Sequence, residues 1–102
     1  MIYKYSGCSG LTSINIPEGV TSIGQDAFVG TAWYNNQPDG LVYAGIVAYK
    51  YKGTMPNGTN IMINEGTKGI VGSCFSGCSG LTSITIPESV TSIGEEAFNS
   101  CI

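Results

Sequence analysis

Four cysteines are the side chains of this 102-residue chain that are best suited to chemistry. Cys74 and Cys78 are four residues apart, a spacing that a zinc site permits, while Cys8 and Cys101 stand far from them in sequence. Zinc sites usually combine such a pair with histidine or with a second close cysteine pair, and the sequence contains no histidine. We therefore predict that the cysteines are small apolar core side chains, with a disulfide as the alternative and no metal site.

Catalytic groups are equally scarce. A serine or cysteine nucleophile needs a neighbouring base, and without histidine the usual base is missing. Glu95 and Glu96 are adjacent carboxylates, but neighbours on a helical turn point in different directions, so a solvated surface explains them better than glycoside hydrolysis. The sequence thus predicts no enzyme, no catalytic residue and no cofactor.

The charge content of the chain is low. Only 11% of the residues are charged, against about 25% in an average globular domain, and the net charge is −3. The cations are Lys4, Lys50, Lys52 and Lys68, which form no basic stripe that could neutralise phosphates. No apolar run approaches the roughly 20 residues of a membrane helix, and the N-terminus has no signal-peptide pattern. Nucleic acid binding and membrane insertion are therefore not expected.

An internal repeat organises the sequence. Residues 6–28 read SGCSGLTSINIPEGVTSIGQDAF and residues 76–98 read SGCSGLTSITIPESVTSIGEEAF, so they differ at four of 23 positions. The spacings from Tyr5 to Phe28 and from Phe75 to Phe98 are both 23 residues, which sets the length of the unit. A partial copy at 61–75 keeps the isoleucine and phenylalanine positions of 14–28. We predict one domain over 1–102, with repeats at about 5–28, 61–75 and 76–98.

Each unit begins with the pattern of a half-buried strand. Leu81, Ile84 and Ile86 supply the apolar positions, and the last two are two residues apart and so share one face of a strand. Thr82 and Thr85 are then expected to point outward. The prediction is one short strand per unit with an apolar inner face and a small-polar outer face.

The rest of the unit predicts a turn at 87–89, a second short strand at 90–93 and a helical turn at 94–98. Such a coil cannot bury its apolar row alone, so neighbouring coils must stack. Equivalent residues are then expected to form ladders through the core: Leu11 with Leu81, Ile14 with Ile61 and Ile84, Ile23 with Ile70 and Ile93, and Tyr5 with Phe28, Phe75 and Phe98.

The pattern LTSITIPxxVTSIGxxAFxxC resembles the BspA-like leucine-rich repeats of bacterial surface proteins, over residues 5–28 and 61–101. The resemblance implies a repeat solenoid of the leucine-rich-repeat type, mostly short β-strands with one helical turn per coil. It also implies protein–protein interaction, adhesion to host matrix proteins or other cells, and a cell-surface or secreted parent protein. Because the chain opens within one repeat and stops within another, we interpret it as a segment of a longer array.

Residues 31–60 depart from the repeat pattern. Leu41–Tyr43 and Ile46–Tyr51 flank Ala44 and Gly45, which predicts a β-hairpin over 41–51 with its turn at Ala44 and Gly45. We expect this hairpin to be inserted in one coil, or to replace it.

The same segment contains an aromatic set that is a candidate binding surface: Trp33, Tyr34, Tyr43, Tyr49 and Tyr51. Aromatic rings are favoured at recognition surfaces, and Tyr49 and Tyr51 are expected on one face of the hairpin. This set would suit a carbohydrate-binding module. The alternative is that the rings pack on neighbouring coils and cover an otherwise exposed apolar row.

The second candidate surface is the outer strand face of the repeats, with Thr12, Asn15, Thr82 and Thr85. Solenoids commonly bind partners on such extended faces, and short uncharged side chains favour broad contact without electrostatic steering. A purely structural role as a spacer fits the same pattern. Neither end has a polar capping coil, so end-to-end association of the chain is also expected.

Overall fold

The structure is a computed structural model of the 102-residue chain, and it describes residues 10, 13–14, 16, 19–20, 23–24, 27–94 and 97–98. Strands outnumber helices among these residues. The elements are, in chain order, α1 (Ala32–Asn35), β1 (Gly40–Ala44), β2 (Val47–Lys52), β3 (Thr59–Met62), β4 (Gly69–Ile70), β5 (Leu81–Thr85) and β6 (Ser92–Ile93).

The strands form two sheets, with the orders β1-β2-β4-β6 and β3-β5. Only β1 and β2 are antiparallel, and the other pairs are parallel. Ile61 lies opposite Ile84 in the pair β3-β5, and Ile70 lies opposite Ile93 in the pair β4-β6, so these two of the three parallel pairs join residues that are 23 positions apart. In these pairs the strand register equals the repeat length, because each residue lies opposite the equivalent residue of the next unit.

The turn that ends each unit is also repeated. Ala27 N donates to Gly24 O over 3.0 Å, and Ala97 N donates to Gly94 O over 3.3 Å. The middle copy has the same bond, from Cys74 N to Val71 O at 3.0 Å. These bonds span three residues, as in a 3₁₀ turn, and each turn places a small side chain in the core.

The core consists of two clusters rather than one continuous ladder. Phe28 lies in the first cluster with Ile14 packed against it, whereas Phe75 lies in the second with Ile61 and Ile84. Phe75 and Phe98 stack with parallel rings, 5.4 Å between centroids. The predicted ladders are therefore confirmed between Ile61 and Ile84, between Ile70 and Ile93, and between Phe75 and Phe98. They do not continue as single ladders to Ile14, Ile23 and Phe28, which lie in the first cluster, and strands β1 and β2 contribute residues to both clusters. Tyr5 and Leu11 lie outside the described residues.

Two isoleucines that were predicted to face the core are partly exposed. Ile93 is 49% exposed, since β6 is the last strand of its sheet and no described strand lies beyond it. Ile86 is 38% exposed and follows the end of β5, so it does not share the environment of Ile84. The apolar side chains of the final unit are therefore less buried than the repeat pattern predicts.

The hairpin turn lies one residue later than predicted. Ala44 pairs with Val47, so the turn residues are Gly45 and Ile46. Gly45 has φ +63°, and a two-residue hairpin turn of type II′ requires glycine at its first central position. The position of the turn is therefore set by Gly45, which can adopt the left-handed backbone conformation that the turn requires.

Strand β2 occupies the place of a repeat strand. Lys68 N donates to Ile46 O over 2.8 Å, just as Thr91 N donates to Lys68 O over 2.9 Å in the next layer. The pairing of Ala48 with Ile70 spans 22 residues, one fewer than the repeat. Residues 31–60 thus supply their second hairpin strand to the same sheet, where it pairs with β4 in parallel.

The hydroxyl of Tyr49 takes the place of a backbone carbonyl in this stack. Phe75 N donates to Ala97 O, and Tyr51 N donates to Cys74 O, so each joins its unit to the next. At the equivalent position of the first unit, Phe28 N donates to the Tyr49 hydroxyl over 3.1 Å. A side-chain oxygen from the hairpin therefore completes a contact that the backbone makes elsewhere.

We expect Tyr49→Phe to lower the free energy of unfolding by about 1–2 kcal/mol, because a buried amide loses this acceptor while ring packing is kept. Tyr43→Phe is the matched control, since the Tyr43 hydroxyl accepts from Asn64 N at an exposed position where water can replace it. Urea titrations of both variants measure the difference. Equal midpoints for the two variants would contradict this role of Tyr49.

Helix α1 was not predicted from the sequence, and Thr31 explains where it begins. The Thr31 hydroxyl accepts from Tyr34 N at 3.2 Å as an N-cap and donates to Phe28 O at 2.8 Å. Thr31 stands three residues after Phe28, as Cys78 stands three residues after Phe75. A threonine at the cysteine position of the repeat thus starts a helical turn.

Candidate functional site

The predicted aromatic surface is largely internal. Tyr49 is 1% exposed and lies in the first cluster, where its ring contacts Phe28 edge-on at 5.2 Å and Tyr34 at 5.7 Å. Tyr49 is therefore a core residue, and its prediction as a surface binding residue is wrong. Its ring and its hydroxyl are both used in joining the hairpin to the first unit.

The other aromatic residues pack on two different clusters. Trp33 and Tyr34 are half-buried against the first cluster, whereas Tyr43 and Tyr51 are half-buried against the second. Tyr49 and Tyr51 thus do not form one face, which corrects the expectation drawn from their spacing. A β-bulge between Val42 and Tyr43 shifts the pairing of β1 with β2 and accompanies this change. The described rings do not meet in a common exposed platform.

Tyr34 and Lys52 tie helix α1 to the hairpin. The Lys52 ammonium donates to Asn35 O over 2.8 Å and lies 5.6 Å from the centre of the Tyr34 ring. Burial raises the pKa of the Tyr34 hydroxyl, with further contributions from the charges of Cys74 and Asp39. The phenol therefore stays protonated at neutral pH, and the contact with the lysine is made by a neutral ring.

The outer side of the sheet β3-β5 presents a continuous exposed surface, which we name the strand face. Met62, at 76% exposure, is its most prominent apolar side chain. Ser83 donates to Asn60 Oδ1 over 2.7 Å and so joins the two strands on this side. Ile61 and Ile84 are half-buried on the inner side and pack on the second cluster. The exposed members of the strand face are Asn60, Met62, Thr82, Ser83 and Thr85.

This geometry places two of the four predicted strand residues together. Thr82 and Thr85 are exposed on β5, as predicted, while Thr12 and Asn15 lie outside the described residues. Asn60 and Met62 were missed, although the alignment of Ile61 with Ile84 puts Met62 at the position of Thr85. The signal was available, because a residue that follows an inward isoleucine in a strand must point outward.

The cysteines and the paired glutamates that could do chemistry are either packed on the core or outside the described residues. Cys74 is buried in the second cluster and Cys78 is half-buried against it, while Cys8 and Cys101 are not among the described residues. In the part of the chain that the structure describes, no group of three or more His, Cys, Asp or Glu side chains could hold a metal ion. Glu95 and Glu96 also lie outside that part.

No helix within the described ranges is both long enough and apolar enough to span a membrane. The strand face contains amide, hydroxyl and thioether side chains. Such side chains contribute hydrogen bonds and dispersion contacts but offer no nucleophile with an activating base.

Comparison with known protein families identifies the chain as a repeat protein. The BspA type Leucine rich repeat region matches residues 2–39 and 44–102 in six copies, which includes most of the segment that the sequence pattern had set apart. No curated protein and no solved structure matches the chain. The chain belongs to the family of BspA type leucine-rich repeats.

Proposed function

We propose that this chain is a stacked-coil segment of a bacterial surface protein, and that its strand face binds a protein partner in adhesion. The observation that carries the proposal is the exposure of Met62, at the end of β3, beside the uncharged polar side chains of the strand face. Apolar side chains that are surrounded by polar neighbours at a surface often serve as the anchors of an interface. Repeats of this family form interaction regions and are generally non-enzymatic.

The shape of the repeat supports the choice of a protein partner. Parallel pairing at 23-residue intervals brings equivalent outward positions into columns, for example Asn60 beside Ser83 and Met62 beside Thr85. An extended partner can therefore contact the same kind of side chain on successive units. We propose a single solenoid over residues 1–102, in which β2 replaces one coil strand.

The aromatic segment weighs against the carbohydrate-binding alternative. Sugar-binding platforms need exposed ring faces, whereas Tyr49 is buried and the other described rings pack on the two clusters. Immobilised matrix proteins are therefore the first partners to test, with a glycan panel as the comparison. End-to-end association of the chain also stays a proposal, supported by the exposure of Ile93 on the last strand β6.

We expect Met62→Lys to weaken binding to a matrix protein at least about tenfold, because a charge replaces the apolar anchor of the proposed interface. Val29→Lys is the matched control, since it adds the same charge at an exposed apolar residue in the turn after Phe28. Label-free binding measures both variants and the unmodified chain. Because the strand face is uncharged, the affinity should change little between low and physiological salt.

Equal weakening by Met62→Lys and Val29→Lys would mean that added charge, not the strand face, accounts for the loss. If the unmodified chain binds glycans and no protein, the adhesive proposal fails. If it binds neither, a spacer role replaces it.

A further inference from the structure

The described part of the chain holds two methionines in opposite environments. Met62 is 76% exposed on β3, whereas Met55 is 8% exposed and belongs to the second core cluster. A thioether reacts with oxidants according to its accessibility, because the oxidant must reach the sulfur. The two residues therefore offer the same group with accessibilities that differ by about a factor of ten.

The position of Met62 in the stack tolerates a polar side chain. Met62 pairs with Thr85 on the neighbouring strand, and the equivalent residue in the first repeat is Asn15. The adjoining residues of the same strand carry the packing, since Ile61 is half-buried and Ile63 is 2% exposed. A polar group at residue 62 thus joins a polar column without entering the core.

We propose that Met62 is a modification site, at which peroxide oxidants form methionine sulfoxide in the folded protein. The sulfur attacks one peroxide oxygen, an S–O bond forms as the O–O bond breaks, and hydrogen peroxide leaves as water. The sulfur is oxidised by two electrons and the peroxide is reduced by two. The product is a polar hydrogen-bond acceptor, and methionine sulfoxide reductases reverse the reaction.

The effect of this modification on binding rests on the proposed function of the strand face. Oxidation converts the apolar Met62 side chain of that face into a polar side chain like those of Thr85 and Asn60. The fold is retained, since the polar column already accepts such groups, but the partner loses its apolar contact. Adhesion would therefore be weakened by peroxide and restored by reduction.

The first test treats the folded chain with dilute hydrogen peroxide and follows each methionine by peptide mass mapping. Met62 is expected to oxidise about tenfold faster than Met55, in proportion to their accessibility. In denaturant the two rates should converge, which controls for the local sequence. Equal rates in the folded chain, or a loss of circular dichroism on oxidation of Met62 alone, would overturn the proposal.

The second test separates oxidation of Met62 from that of the cysteines. Met62→Leu keeps an apolar side chain that peroxide does not oxidise, so its affinity for a matrix protein should be the same before and after peroxide. Met62→Gln imitates the polarity of the sulfoxide and should bind about tenfold more weakly than Met62→Leu. Loss of binding by peroxide-treated Met62→Leu, or equal affinities of the two variants, would overturn the link to binding.

The two proposals fail in different ways. If the untreated chain binds no protein, the proposed function is wrong, while the rates of Met62 and Met55 still decide the modification site. If the untreated chain binds and oxidised Met62 binds equally well, the strand face is not anchored by Met62.

Discussion

Gly80→Ala is expected to lower the free energy of unfolding by about 3 kcal/mol, because the new methyl group meets the backbone of another segment. A Cβ at residue 80 would lie 2.3 Å from Pro56 O and 2.7 Å from Met55 O. Backbone carbonyls cannot rotate away as a flexible side chain can, and Thr59 N donates to Gly80 O at the same contact. The strand pair β3-β5 would have to separate at its start.

Gly10→Ala provides a control in the same sequence context. Gly10 and Gly80 are equivalent positions of the near-identical repeats, but a Cβ at residue 10 meets no atom of the described residues within 4 Å. Its substitution should change stability by less than about 0.5 kcal/mol. Chemical denaturation of the two variants measures the difference. If both variants lose the same stability, the loss belongs to the repeat sequence and not to the contact with residues 55–56.

The second large effect is expected at Phe75. Its side chain is fully buried in the second cluster and stacks on Phe98. Phe75→Ala should cost about 3–5 kcal/mol, since it removes a large buried ring and leaves a cavity between neighbouring units. This loss approaches the whole stability of many small domains, so Phe75→Leu serves as a milder variant that keeps the folded state measurable.

Phe98→Ala is the comparison for Phe75, because Phe98 occupies the same repeat position but is only half-buried. We expect it to cost about half as much as Phe75→Ala, in keeping with its smaller buried area. Urea unfolding monitored by circular dichroism gives both values. A cost at Phe98 equal to that at Phe75 would contradict a core in which burial depends on having a unit on each side.

The strand register could be predicted because equivalent residues recur in the sequence at a fixed spacing. Ile61 opposite Ile84 and Ile70 opposite Ile93 follow directly from copies spaced by 23 residues. The outward position of Thr85 followed from strand alternation beside inward Ile84, and the same rule would have found Met62. Thr82 lies two residues before Ile84 and is exposed at the irregularity in the pairing of β3 with β5. Recurrent local pattern thus predicts both the register and much of the strand face.

The place of residues 31–60 could not be predicted in this way. Val47 and Ala48 have no sequence likeness to Gly69 and Ile70, so their parallel pairing depends on backbone hydrogen bonds that any residue can form. Tyr49 is buried beside Phe28, which is 21 residues away and whose backbone N–H donates to the Tyr49 hydroxyl. When the Tyr49 hydroxyl accepts the hydrogen bond in place of a backbone carbonyl, the sequence shows no periodic pattern that would predict it.

Met62 allows the proposed interface at the strand face to be tested without a substitution. The chain would be labelled with ¹³C at its methionine methyl groups and titrated with a matrix protein that it binds. The Met62 methyl signal is expected to shift or broaden at saturation, while the signal of buried Met55 stays in place. Binding that leaves the Met62 signal unchanged would contradict the proposal and place the interface elsewhere on the chain.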